Sequence, residues 1–137
     1  RDAGRPAGLL DSVPASLPAL MQCQKISKRA AKVGFEWDTV ADVWDQFQSE
    51  RREFEAEASG SPEAAEEFGD MLFSLVNVAR REGIDAEAAL EASNRKFRRR
   101  WSAMEDMAVE RGVELRDLST EGLNGLWREA KLRERRA

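Results

Sequence analysis

Histidine and tyrosine are absent from this chain, and cysteine occurs once, as Cys23. Without histidine there is no imidazole general base, no Ser-His-Asp or Cys-His nucleophile and no His-ligated metal. A single cysteine forms neither an internal disulfide nor a thiolate zinc cage. Long apolar runs are also lacking. None approaches the roughly 18 residues that a membrane span needs, and no signal-peptide pattern is present. There is no excess of positive charge either. The formal net charge is −4, which argues against a nucleic-acid partner held by bulk electrostatics but leaves room for a local basic patch. Any chemistry must therefore come from carboxylates, Lys, Arg, Ser/Thr, Asn, or a metal held by oxygen ligands.

What remains is 137 residues, 35% charged and 42% apolar, enough for one soluble, helix-rich domain and too little for two cores. A lone thiol with no export signal points to the cytoplasm. The chain starts at Arg1 rather than Met, so it reads as a fragment of something longer. Residues 1–16, with Pro6 and Pro14, read as a linker or extended arm ahead of a helical domain over 17–134.

Helical periodicity begins at about Leu17 and ends near Val33, with Gly34 as C-cap. Thr39 with Asp42 three residues on predicts a capping box and a helix over 39–58. Ser59-Gly60-Ser61-Pro62 breaks the chain, and Pro62 suits the first position of a third helix that Gly83 stops. Asp85 is the N-cap for a fourth helix to about Arg111, and a last amphipathic piece spans 120–133. No strand alternation is found. The fold class is all-α, an antiparallel helical bundle.

The third helix carries the clearest chemical signal. Glu63, Glu67, Asp70, Ser74 and Asn77 fall within roughly 80° of one another at 100° per residue. Met71, Val78 and Phe73 flank this stripe, and Leu72, Leu75, Val76 and Ala79 fill the back. A helix apolar nearly all round is normally buried, so the stripe is expected to face a cleft. On the second helix Val43, Phe47 and Phe54 form a seam whose intermediate position is Glu50, with Glu53 three residues on. An acid on a core-facing seam is costly unless paired or liganded. Two helices joined by a short turn would let Glu50, Glu53, Glu67 and Asp70 converge, and their repulsion would raise their pKa values unless hard cations such as Mg²⁺ or Mn²⁺ neutralise them. The other reading of the same spacing is four surface acids pairing with Arg51, Arg52 and Arg80.

The fourth helix holds a basic run from Asn94 to Trp101 that includes Arg95, Lys96, Arg98, Arg99 and Arg100. It reads either as a solvated basic face or as a phosphate contact beside an acidic metal site. Ala89, Phe97, Trp101 and Met104 read as its core side. Trp37, between the first two helices, either stacks on a nucleobase or caps the core. Cys23 reads as a small buried hydrophobe.

Several motifs recur in order: Leu17-Pro18-Ala19-Leu20, Gln24-Lys25-Ile26, Lys28-Arg29-Ala30-Ala31-Lys32-Val33-Gly34-Phe35, Glu66-Glu67-Phe68-Gly69-Asp70-Met71-Leu72-Phe73, Val76-Asn77-Val78-Ala79-Arg80 and Asn94-x-Lys96-Phe97-x-x-Arg100. Together, over about residues 9–133, they resemble the MazG family of nucleoside triphosphate pyrophosphohydrolases, and among its two tandem domains the C-terminal one. The resemblance implies the all-α NTP pyrophosphohydrolase fold completed by homodimerisation. It implies Mg²⁺-dependent cleavage of NTP and water to NMP and diphosphate; the lack of a long apolar run separately predicts no membrane partner. It also implies metal-ligand and catalytic roles for Glu50, Glu53, Glu67 and Asp70, which match the second half of an EExxE signature and the ExxD that follows it. The resemblance places Asn94, Lys96 and Arg100 at phosphates; Arg99 of the same basic run, with Trp37 and Asn77, completes the substrate-binding set expected from the residues themselves. The chain departs from EExxE at Ser49, and Arg51 and Arg52 add two cations to the metal-binding helix. The alternative to an active enzyme is therefore a catalytically weakened dimerisation or regulatory module of the same fold. A narrower nucleotide specificity, such as dUTP, dCTP or phosphoribosyl-ATP, is a third option.

Overall fold

The capping signals in the sequence become helix ends almost residue for residue. The computed structural model, which describes residues 4 and 7–136, contains α1 (Ala19–Lys32), α2 (Val40–Ala56), α3 (Pro62–Arg81), α4 (Ala86–Arg111), a short 3-10 turn (Leu115–Asp117) and α5 (Thr120–Arg136). The protein is all-α, and no strand occurs among the described residues. The Thr39 hydroxyl accepts from the Asp42 N–H at 3.1 Å while the Asp42 carboxylate accepts from the Thr39 N–H at 3.2 Å, a complete capping box. Ser61 caps α3 with Pro62 at its first turn, and the Asp85 carboxylate accepts from the Ala88 N–H at 3.0 Å at the start of α4. Gly83, with φ 73°, follows α3 in the left-handed region where a Cβ is penalised.

The chain forms two compact units, Arg1–Ala89 and Leu90–Ala137, with the division inside α4. In the first unit a short connection folds α3 back along α2, and α3 also packs against α1. Val43, Ala64, Val76 and Val78 are buried there. The described part of the expected N-terminal arm lies against α1. Val13 is buried, and Arg29 donates to the Leu9 carbonyl at 3.3 Å and to the Ser12 hydroxyl. Residues 1–3, 5 and 6 of that arm lie outside the described residues. Cys23 is half-buried rather than fully enclosed, and burial pushes its thiol up.

One face of α3 differs from expectation. Ser74 and Asn77, on the polar stripe, are among the most buried residues of the unit, whereas Phe68, Leu72 and Leu75 on the back are exposed. The polar stripe turns inward because its side chains find partners inside: Asn77 donates its amide to the Ser27 hydroxyl at 3.2 Å and to the Phe73 carbonyl at 3.0 Å. Satisfied buried amides carry little penalty.

The second unit is held by Met104, Met107, Leu126 and Ala130, with Leu115, Leu118, Leu123 and Trp127 packed around them. Of the expected core-side residues on α4, Met104 is buried but Phe97 and Trp101 are exposed. α5 covers the later turns of α4 most fully; the two rings stack on each other with 10° between planes and 6.2 Å between centroids, and Phe97 also meets Trp127 of α5 at 5.3 Å.

The loop between α1 and α2 is pinned to the end of α3. The Arg80 guanidinium donates to both Glu36 carboxylate oxygens, at 2.6 and 2.7 Å, and Arg81 donates to the Trp37 carbonyl at 2.6 Å. Arg80 holds the Glu36 carboxyl down at about 2, helped by the Trp37 N–H and by the charges of Arg80 and Arg81 against the opposing effect of burial. The ordinary value is 4.5. Because the folded value is depressed, the stabilisation is fully present above about 4.5 and is lost as pH falls toward 2. Glu36→Gln is expected to lower stability by about 1–3 kcal/mol at pH 7. The gap to wild type should close as pH 2 is approached in urea unfolding followed by circular dichroism.

Candidate metal centre

Four carboxylates meet on the facing sides of α2 and α3. Glu50 reaches the site because Val43, Phe47 and Phe54 turn that face of α2 toward α3, with Val43 fully buried and both phenylalanines partly so. Glu67 and Asp70 come from the polar stripe of α3, one turn apart. Glu50, Glu67 and Asp70 each bring one carboxylate oxygen to a point where all three lie within 4.8 Å of one another. Glu53 lies against Glu67. Its carboxyl stands within hydrogen-bonding reach and is the largest cause of a Glu67 pKa pushed up to about 7, followed by burial and then by the charges of Glu53, Asp70 and Glu50.

The neighbouring groups orient this cluster without neutralising it. Gln46, one turn before Glu50 on α2, donates its amide to Glu50 Oε1 at 2.8 Å. Glu67 Oε2 is buried with no hydrogen-bond partner. Arg51 turns away to pair with Glu55 at 2.8 Å. An all-oxygen, multiply charged donor set with an orphaned buried oxygen fits a hard divalent cation, Mg²⁺ or Mn²⁺, better than a soft one. Nitrogen and sulfur donors are missing from it.

The other expected site residues fall in three places. Trp37 lies, partly buried, in the loop between α1 and α2, where Gly34, Phe35, Glu36 and Trp37 line a cavity of about 240 Å³. Asn77 is 1% exposed, and its Oδ1 accepts from Arg80 at 3.2 Å, so its amide is used wholly inside the unit. Asn94, Lys96, Arg99 and Arg100 belong to the second unit. Asn94, Lys96 and Arg99 are exposed there. Arg100 pairs with Glu134 at 3.1 Å and lies over the Trp127 ring at 5.2 Å, with Arg99 at 3.8 Å from the same carboxylate. Sequence reasoning missed Gln46, whose signal was its place four residues before Glu50. It also missed Glu36 and Arg81, whose pairing spans more than 40 residues and leaves no local trace.

No family model matches the chain. Curated relatives do. A protein of Escherichia coli K12 named nucleoside triphosphate pyrophosphohydrolase is 43% identical over 129 residues, 91% of this chain and 49% of the relative. One of Thermotoga maritima, named nucleoside triphosphate pyrophosphohydrolase/pyrophosphatase MazG, is 38% identical over 115 residues, 84% of this chain and 45% of the relative. An uncharacterized protein of Bacillus subtilis, YabN, is 52% identical over 134 residues, 96% of this chain and 27% of the relative. The chain thus has homologues named for NTP pyrophosphohydrolysis along most of its length. It spans about half the length of the first two relatives.

Neutralising one of the facing acids is expected to act in opposite directions with and without metal. In Glu53→Gln without divalent ions, repulsion on Glu67 falls, and the thermal midpoint should rise by a few degrees. With Mg²⁺ at millimolar concentration, the ion-induced rise expected of wild type should shrink or vanish. Scanning calorimetry with EDTA and with Mg²⁺ measures both.

Proposed function

We propose that this chain is a Mg²⁺-dependent nucleoside triphosphate pyrophosphohydrolase domain of the MazG type, taking NTP and water to NMP and diphosphate. The observation that carries the reading is the approach of Glu50, Glu67 and Asp70 oxygens to within 4.8 Å, with Glu53 against Glu67. So dense a group of acids has little reason to persist on a helix pair unless cations relieve it. The names of its relatives support the substrate class.

In this reading Glu50, Glu53, Glu67 and Asp70 hold the ion or ions, and Gln46 fixes the Glu50 carboxylate. The bound cation would polarise the phosphates and lower the pKa of a water molecule. Lys96, Arg99 and Arg100, with Asn94 beside them, would offset negative charge on the phosphates, the two arginines exchanging Glu134 for phosphate oxygens. Trp37 would meet the nucleobase, and Asn77 would act through Arg80. The working domain is residues 17–134, in the cytoplasm. No helix among the described residues is long and apolar enough to cross a membrane.

The alternative, a module that kept the fold and weakened the chemistry, draws on Arg51 and Arg52. The Arg51 pairing with Glu55 speaks for the enzyme instead, because it turns that charge off the cluster. The working form is a homodimer. This is supported by the exposed Phe68, Leu72 and Leu75 along the back of α3, an apolar strip that a solitary helix face would not carry without a partner.

Glu67→Ala and Asp70→Ala are each expected to reduce Mg²⁺-dependent diphosphate release from NTPs and dNTPs by about 100-fold or more, while the helical circular dichroism persists. Unchanged turnover would refute the ligand assignment, and a wild type that releases no diphosphate from any of these substrates would favour the weakened module. Leu72→Lys is expected to convert a dimer to a monomer in analytical ultracentrifugation.

A further inference from the structure

The aromatic loop between α1 and α2 is the most exposed apolar feature of the first unit and also one of its most firmly anchored. Phe35 is 81% exposed. It sits between Gly34, at φ 99°, and Glu36, which takes the bidentate grip of Arg80. Arg81 holds the next two carbonyls, Trp37 at 2.6 Å and Asp38 at 3.3 Å. Arg80 is itself aimed by its Nε–H, which donates to the Asn77 Oδ1 at 3.2 Å, and Asn77 is held by Ser27 of α1. A loop that merely connected two helices would need neither two arginines nor a bare phenylalanine at its tip. Preorganising an exposed ring removes the ordering cost that a ligand would otherwise meet.

The register of α3 supplies the second part. Asp70, Ser74, Asn77 and Arg81 repeat at intervals of four, three and four, so they share one face of the helix. The metal cluster occupies the early turns of that face and the arginines its end. Ten or eleven residues at a rise of about 1.5 Å separate them by roughly 15 Å. That is comparable with the reach of an extended nucleotide from its phosphates to its base. Ser74 and Asn77 between the two ends are buried, so it is the separation and not the intervening face that one molecule would match: polyphosphate toward the acids, a flat π-system toward Phe35 and Trp37.

We propose that Phe35 and Trp37 form the nucleobase platform of the site, and that Glu36, Arg80 and Asn77 are the positioning residues that hold it. The proposal rests on the nucleotide reading above but not on turnover. Phe35 contacts the base directly. Glu36 and Arg80 act through the loop, so losing either relaxes the platform and leaves the acids as they are.

The experiment is calorimetric titration of the full chain with Mg²⁺ and each of the four common ribonucleoside triphosphates, compared with Mg²⁺ and inorganic tripolyphosphate, which has no base. Wild type is expected to bind at least one nucleotide about tenfold more tightly than tripolyphosphate, the ratio that one base–aromatic stack supplies. Phe35→Ala, at a position too exposed to disturb folding, should abolish that difference. Arg80→Lys and Glu36→Gln should reduce it, with tripolyphosphate affinity and the Mg²⁺ thermal shift unchanged. Equal affinity of wild type for all five ligands would overturn the proposal. So would nucleotide binding that survives Phe35→Ala, or a proportional loss of nucleotide and tripolyphosphate in the positioning variants, which marks general damage. If nucleotides bind as expected and wild type releases no diphosphate, the hydrolase reading falls and the platform stands.

Discussion

The repulsion among Glu50, Glu53, Glu67 and Asp70 is the constraint from which the rest of the first unit follows. Helix packing is what forces these groups together. Val43, buried without residual exposure, and the partly covered Phe47 and Phe54 fix the rotation of α2. The stripe on α3 is drawn inward by the Asn77 and Ser27 hydrogen bond and by burial of Ser74. Apolar contacts and neutral hydrogen bonds therefore hold a charge arrangement that Coulomb's law alone would scatter. The Glu67 pKa of about 7, raised from 4.5, follows first from the Glu53 carboxyl within hydrogen-bonding reach, then from burial, and then from the charges of Glu53, Asp70 and Glu50. A bound cation would reverse the sign of the arrangement, turning mutual repulsion into a ligand set.

Much of this was legible before any coordinates. Thr39 with Asp42, Ser61 with Pro62, and Asp85 mark helix starts through local hydrogen bonds, and local bonds leave local sequence signatures. The anomaly of Glu50 on an apolar seam was visible for the same reason, because periodicity says which residues share a face. It does not say which face is covered. Leu72 and Leu75 read as the buried back of α3 and are exposed, while the polar stripe faces inward as its spacing suggests and buries Asn77 with its amide fully bonded. Phe97 on α4 has the spacing of a core position and meets Trp127 of α5 at 5.3 Å between centroids, yet it stays 55% exposed, because how far α5 covers it is not encoded locally.

The Glu36–Arg80 pair illustrates the remaining gap. Neither residue belongs to a recognisable local pattern with the other, and they meet only because the α1–α2 loop returns to the end of α3. The pair is well covered, with Arg80 at 12% and Glu36 at 26% side-chain exposure. Its oxygens are matched to a planar fork, the geometry in which a charge pair gives direction as well as energy. Direction matters here more than energy, because the same arginine also reads Asn77 and so registers the loop against the helix that bears Glu67 and Asp70.

The departure from an EExxE signature can be weighed on the same physical terms. Ser49 removes an acid one residue before Glu50 and about 100° from it, but only about 40° from Glu53, four residues on, so the loss falls on the Glu53 side of the cluster. Arg51 and Arg52 follow Glu50 by one and two positions and so point about 100° and 200° from it. Arg51 finds Glu55 one turn on, at 2.8 Å. What these arginines still exert on the cluster is a through-solvent effect between exposed groups, screened over about 8–10 Å at ordinary ionic strength. Against a cation coordinated at direct contact by several carboxylates, that effect is small, and part of it lowers the mutual repulsion of the acids when no ion is bound. Arg51 and Arg52 therefore lie off the face that bears Glu50 and Glu53, whereas Ser49 lies on it beside Glu53.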